Sequence, residues 1–197
     1  MSRPWHFIVG EYPPQPGGVA DYAAQVARGL AKQGAGVHVW APPSRRGEGG
    51  EPGVHVHRLP DRFGPRGLRA LGEGLSRLPE GRLFVHYVPQ SFGLRGMNLA
   101  LPLWLAARRE DVWVMFHEVS VEWSREQLAA NVLAAATQTM AAVMVRRADR
   151  LFVSIPAWSD RLPLRLLRRG VPPPVWLPIP SNLPMPAPAP TRAPPAT

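Results

Sequence analysis

Cysteine is absent from this 197-residue chain, and lysine and long apolar runs are scarce. Without a thiol there is no disulfide framework and no thiolate metal site, a composition that fits a reducing cytosol without requiring one. The most apolar helix-like stretch, Met97 to Ala107, falls short of the roughly 18 residues that a membrane span needs. The start of the chain, Met1-Ser2-Arg3-Pro4-Trp5-His6, lacks the apolar core of a signal peptide. Neither a signal peptide nor a transmembrane helix is expected, and the expected compartment is the cytoplasm.

Several chemistries are missing as well. No G-x-G-x-x-G follows Val9 and no Gly-Lys-Ser/Thr occurs, which excludes a dinucleotide fingerprint and a P-loop. There is no G-x-S-x-G, so a serine hydrolase has no support. The second histidine of an H-E-x-x-H motif begun at His117 would fall on Val121. His55 and His57 share one face of a strand, but the pattern supplies no third ligand. The chain is expected to hold no metal and no cofactor.

Acidic residues number 14 against 23 basic ones, a formal charge of +9, and Lys32 is the one lysine among the 23. Such an excess fits an anionic partner, and equally a coding bias toward Arg, Ala, Gly and Pro, all of which are plentiful. Binding to nucleic acid is not expected. Arg161, Arg165, Arg168 and Arg169 lie at helical spacing on one side, as either a solvated face or a peripheral contact with an anionic membrane.

What is present is an alternation of short apolar runs with longer helical patterns. Strands are expected over Trp5 to Val9, Val37 to Ala41, Val54 to Leu59, Leu83 to Val88, Val112 to His117, Arg150 to Ser154 and Val175 to Leu177. Helices are expected over Val19 to Gln33, Gly67 to Leu78, Asn98 to Arg109, Arg125 to Arg147 and Ala157 to Arg169. Val19, Tyr22, Ala23, Val26 and Leu30 keep the i, i+3, i+4, i+7 rule, and Gly34 is placed to stop that helix. The pattern implies an α/β fold: a single Rossmann-like, doubly wound, mostly parallel sheet built from right-handed βαβ units. This domain is expected to occupy residues 1–183, followed over 184–197 by a Pro/Ala-rich linker or disordered tail. From Pro172 to Thr197, 11 of 26 residues are proline.

In such sheets ligands collect where the βα loops leave the carboxyl ends of the strands. The first of these loops reads "EYPPQPGGVADY", with Gly17 and Gly18 directly ahead of a helix. It is either an anion site, with close backbone approach and unpaired helical N–H groups, or a tight turn. His117 and Glu118 fall at the end of the fifth strand, where His117 either donates to a polar ligand or bonds a neighbouring backbone group. The loop after Val88 brings aromatic, amide and glycine groups suited to a polyol, with His86, Gln90 and Asn98 as candidates to bond hydroxyls. Asn98 as a helix cap and Phe92 as core packing is the alternative.

Five stretches in order, "EYPPQPGGVADY", "HYVPQSFGLRGMN", "VMFHEVS", "ADRLFVSIPAW" and "LPIPSN", resemble the N-terminal half of retaining GT-B glycosyltransferases of family 4. The resemblance covers nearly the whole chain. It implies the acceptor-side half of a GT-B fold, one of two Rossmann-like domains facing across a cleft. A nucleotide-sugar donor and a glycan or lipid acceptor are the implied ligands, and a C-terminal donor-domain polypeptide is the implied partner. Gly17 and Gly18 would approach the donor phosphates or the reacting sugar, and His117 is the implied catalytic residue, in contact with the transferred sugar. Asp21, Tyr22, His86, Gln90, Asn98 and Glu118 complete the implied substrate-binding set. The family's Glu-x7-Glu donor motif is not matched: Glu118 and Glu126 have the spacing but stand at a strand end and a helix start of the acceptor side. The domain is therefore expected to be inactive alone. A non-catalytic module binding a glycan or lipid acceptor, or half of a split glycosyltransferase, are the other readings. Tyr12, Phe92 and Trp123 are expected partly exposed at the rim of an uncovered, concave carboxyl edge.

Overall fold

In β1 (Trp5–Val9), β2 (Val37–Ala41), β4 (Arg82–Tyr87) and β5 (Asp111–Phe116), apolar side chains project to both sides of the extended backbone. Such strands need cover on both faces, which a parallel sheet flanked by helices provides. The computed structural model has this architecture; it describes residues 3–45, 47, 52–120, 122–124, 128–163 and 172–180. With β3 (Val54–Arg58), β6 (Arg150–Val153) and β7 (Pro174–Trp176), the sheet has seven strands in the order β3-β2-β1-β4-β5-β6-β7, and every neighbouring pair is parallel. The fold is one half of a GT-B fold, as the sequence implies.

Strand order fixes where a ligand can sit. The chain runs outward from β1 to β3, returns to set β4 on the other side of β1, and then runs outward again. In open parallel sheets the ligand crevice lies at such a reversal of strand order, here at the carboxyl ends of β1 and β4.

Two cores flank the sheet. On one face, α1 (Gly18–Lys32) lays Tyr22, Ala23, Ala24 and Ala27 against Phe7, Val9, Val39, Phe84 and Met115. On the other, α2 (Pro65–Ser76), α3 (Ala100–Ala106) and α4 (Leu128–Arg147) cover Ile8, Leu83, Val85, Val112 and Val114. Trp158 of the short α5 (Ala157–Arg161) packs onto the edge of this second core. Among the described residues, no helix is long and apolar enough to cross a membrane.

Local chemistry moved several boundaries. Helix α2 begins two residues before the expected Gly67, at Pro65, because the Asp61 carboxylate accepts from the Gly64 and Gly67 N–H groups and so caps the helix start. Helix α3 does not begin at Asn98, whose side chain is spent on tertiary bonds; Leu99 is its N-cap, without a side-chain bond. The segment after β4 instead winds into two 3-10 turns, Pro89–Phe92 and Leu94–Gly96, joined through Gly93 at φ 90°. Gly34, at φ 82°, ends α1 as expected, with its N–H bonded to the Ala31 carbonyl at 2.9 Å. Tyr12 and Phe92, expected at an exposed rim, are fully buried: Tyr12 joins the α1-side core, and Phe92 packs on Phe63 with ring centroids 5.0 Å apart. Trp123 is exposed, as expected, at 59%. The tail over 184–197, the helical stretch over 164–169 with Arg165, Arg168 and Arg169, and residues 125–127 of the fourth expected helix lie outside the described residues. Arg161 pairs with Glu122 at 2.6 Å.

Two helical glycines separate intrinsic propensity from packing. A Cβ on Gly29 in α1 would meet open space, whereas one on Gly74 in α2 would overlap the buried Trp40 ring. Gly29→Ala is expected to raise stability by about 0.5–1 kcal/mol, and Gly74→Ala to lower it although the propensity gain is the same. Urea denaturation of the two variants checks this, and equal shifts would contradict it.

Candidate functional site

Strand alternation brings the candidate histidines together. Phe84 and His86 on β4, and Met115 and His117 at the end of β5, all point to the α1 side, where Tyr22 stands over them. The Tyr22 ring meets the His86 and His117 rings edge-on, at centroid distances of 5.7 and 5.3 Å. His86 Nδ1 and His117 Nε2 lie 3.2 Å apart in a hydrogen bond. The His117 backbone N–H donates to the Tyr87 carbonyl at 3.0 Å, which extends the β4–β5 ladder past the end of the strand. His86 is wholly buried and cannot touch a ligand directly, while His117 keeps 7% exposure at the carboxyl edge. Burial lowers the affinity of both rings for a proton, holding His117 at about 4 and His86 well below its ordinary value. Burial likewise raises the Tyr22 hydroxyl.

The glycine pair divides in two. Gly17 is the N-cap of α1, and a Cβ there would stand 2.5 Å from Glu11 Oε1. The chain's own carboxylate therefore occupies the space beside Gly17, at a helix start that favours negative charge. Burial pushes the Glu11 carboxyl up, the Arg62 charge draws it down, and Asp21 adds a smaller upward push. Gly18 differs: a Cβ there would meet nothing within 4 Å. The surface left for a ligand at this turn is at Gly18, with Asp21 half-buried in the first turn.

The remaining candidates scatter in depth. Gln90 and Glu118 are exposed at the carboxyl edge. Asn98 is fully buried and braces two loops, donating from Nδ2 to the carbonyls of Phe63 at 2.9 Å and Phe92 at 2.8 Å. These bonds hold Phe63 in a left-handed conformation (φ 56°) that a bulky residue rarely adopts.

Three residues absent from the expected set shape the site. Gly10, directly after β1, allows Ser91 of the first 3-10 turn to lie where its Cβ would be, so two loops meet across the crevice. Arg58 at the end of β3 reaches over to donate to the Pro13 and Pro42 carbonyls and fastens the proline turn from outside. Glu11 supplies the carboxylate beside Gly17. A glycine directly after a strand and an acid directly before a proline turn were the available signals; Arg58 had none.

A second histidine group lies on the opposite face of the sheet. His6, His38 and His55 stand in register across β1, β2 and β3, stacked at centroid distances of 5.2 and 5.1 Å. His57 adds a 3.0 Å bond to His38 and stacks on Trp40. Among the described residues, no three His, Asp or Glu side chains are placed to hold a metal ion.

The seven-stranded parallel sheet is a Rossmann-like α/β frame, and residues 17–182 match the family model of the glycosyl transferase 4-like domain. The chain belongs to that family. No curated protein is significantly similar to it. Among solved structures it is similar to the sucrose-phosphate synthase of Thermosynechococcus elongatus, with a TM-score of 0.63 and 16% identity over 89% of this chain and 48% of that one. It is also similar to an alpha-glucosyltransferase solved with UDP and a 13-mer DNA, with a TM-score of 0.52 and 14% identity over 92% of this chain and 44% of that one. The chain thus spans about half the length of these proteins, and at such identities the likeness shows the fold alone.

The depressed histidines set a pH dependence. His117 binds a proton near its ordinary 6.5 when unfolded and only near 4 when folded, so between these values the unfolded chain holds more protons. Stability is therefore full above the upper value and falls as pH drops through the window. From pH 7 to 5, His117 alone is expected to remove about 2 kcal/mol. Burial lowers His38, to about 4, and His6 in the same direction, and the more exposed His38 adds less because solvent screens it. Urea midpoints across this range measure the slope; a flat profile, or one unchanged in His117→Gln, is the contrary outcome.

Proposed function

We propose that this chain is the acceptor-side domain of a glycosyltransferase that moves a sugar from a nucleotide-sugar donor to a glycan or lipid acceptor in the cytoplasm. The supporting observation is the convergence at one sheet edge of the open Gly18 turn, the Tyr22–His86–His117 cluster, and the exposed polar side chains of Gln90 and Glu118. His117, at the end of β5, meets the reacting sugar. Gly18 and the start of α1 approach the phosphate or the sugar beside it, and Gln90 and Glu118 bond hydroxyls. Neutral groups suit this role, because a charged imidazole would have to be desolvated each time a ligand bound. The donor contacts belong to a second domain, and without them the charge that develops on the leaving group has no preorganised partner.

With a panel of nucleotide-sugars and simple acceptor sugars, the purified chain is expected to show no detectable transfer. Robust turnover lost in His117→Ala would overturn that expectation. In ligand-observed NMR with sugar phosphates, Gly18→Leu is expected to weaken binding roughly tenfold, the equivalent of about 1.4 kcal/mol, while stability shifts by less than about 0.5 kcal/mol. Binding that survives while stability collapses would return the glycine pair to a purely structural turn.

A further inference from the structure

Helix α4 has the composition of a buried helix and the position of a surface one. From Leu128 to Val145 it carries no charged residue, and a helix apolar on all sides ordinarily has cover all round. Val132, Ala135 and Thr139 nevertheless stand exposed along one line of it, Val132 at 63%. Helix α3 and its N-cap present a matching line, Leu99, Leu103 and Ala106, at i, i+4 and i+7, with Leu103 at 59%. The two helices are parallel neighbours. At one end a Cβ on Gly96, just ahead of α3, would meet Leu133 Cδ1 at 3.4 Å, and at the other Arg147 Nη2 donates to the Arg108 carbonyl at 3.2 Å. A groove of about 470 Å³ lies between them, lined by Ala106, Thr139, Ala142, Val143 and the two arginines that end α4.

The charges around this face have one sign. No acid occurs in residues 94–109 or 130–147, which hold Arg95, Arg108, Arg109, Arg146 and Arg147. Glu110 and Asp149, just beyond the helix ends, pair with Arg108 and Arg147, while Arg95 before α3 and Arg109 after it are exposed. An apolar strip between cations fits a surface that is apolar inside and anionic outside, which is the anatomy of a bilayer containing acidic lipids. A second copy of the chain fits less well. A two-fold pair brings the same patch to both sides, and this patch holds no carboxylate to meet its arginines.

We propose that the exposed face of α3 and α4 is a docking surface for an anionic lipid bilayer, with Leu99, Leu103 and Val132 entering the headgroup boundary and Arg95 and Arg109 meeting lipid phosphates. Among the described residues no helix can cross a membrane, so the contact is with its surface. The arginine stripe expected on the last helix is a different surface, and its Arg161 is held by Glu122. The proposal uses none of the residues assigned to the sugar site, so it stands whether or not that reading holds.

The test is sedimentation of the purified full chain with vesicles made either of phosphatidylcholine alone or of equal parts phosphatidylcholine and phosphatidylglycerol. The chain is expected to sediment with the mixed vesicles, and less so at high salt. Leu103→Asp with Val132→Asp is expected to weaken that binding at least about tenfold, because two apolar contacts give way to charges that the acidic headgroups repel. Both positions are exposed, so the urea midpoint is expected to stay in place. Arg95→Gln with Arg109→Gln is expected to weaken binding roughly tenfold. Arg3→Gln with Arg45→Gln, which removes the same charge from exposed positions beside β1 and β2, is expected to weaken it distinctly less. Failure to sediment with mixed vesicles, equal binding to phosphatidylcholine alone, or equal losses in the two arginine pairs overturns the proposal, as does binding that survives the aspartate pair. A concentration-dependent dimer that the aspartate pair abolishes, with no vesicle binding, assigns the face to a second copy and also overturns it. If the aspartate pair does not fold, the comparison of the two arginine pairs decides.

Discussion

The parallel pairing of β1 with β4 is the constraint on which the carboxyl edge depends. In that register Val9 stands beside His86, and β5 then carries Met115 beside His86 and Phe116 beside Tyr87. One residue of slip in β4 would turn His86 to the opposite face and separate it from both His117 and Tyr22. The apolar residues on both faces of β1, β4 and β5 exclude such a slip, since it would move Phe84 and Val85 into cores shaped for each other's positions. The histidine pair is thus held by the same hydrophobic register that holds the sheet, and a buried polar contact at its end is tolerated because the strands leave it no alternative.

Above that edge, the loops are tied mainly to one another. Asn98 joins the β3–α2 loop at Phe63 to the β4–α3 loop at Phe92, and Ser91 sits against Gly10 at the head of the β1–α1 loop. Arg58 and Gln15 add bonds from the proline turn to the ends of β3 and β2. Each tie uses a backbone carbonyl or the missing side chain of a glycine, so the crevice is narrowed by direct backbone approach. Left-handed Phe63, Leu94 and Arg95 mark where the chain bends sharply to allow it.

Much of this was legible in the sequence, for definable reasons. Trp5–Val9 and Val37–Ala41 matched their strands to the residue because a strand covered on both faces is a largely apolar run, interrupted here by His6 and His38 alone. The placement of His117 and Gly18 at the carboxyl edge was legible because strand ends and helix starts of an α/β fold lie there. What was not legible depends on lateral order. The sequence shows His55 and His57 on one strand, but the row that adds His6 and His38 exists only once β1 and β2 are known to be neighbours. Asn98 carries the same polar atoms whether it bonds a sugar or two carbonyls, and only the depth of the loop decides. Tyr12 and Phe92 stood in loops and so were expected at the surface; the loops fold down into the core and take both rings with them.

Because these loops are fastened to one another, they constitute a single cassette for molecular change. An insertion or deletion in the proline turn would pull on Arg58 and on the Ser91 segment together, so changes of loop length are resisted. Variation is channelled into side chains that project from the cassette without taking part in its ties, above all Gln90, Glu118 and the bare position at Gly18. A lineage varying the surface of this carboxyl edge would keep the backbone and change those three residues first.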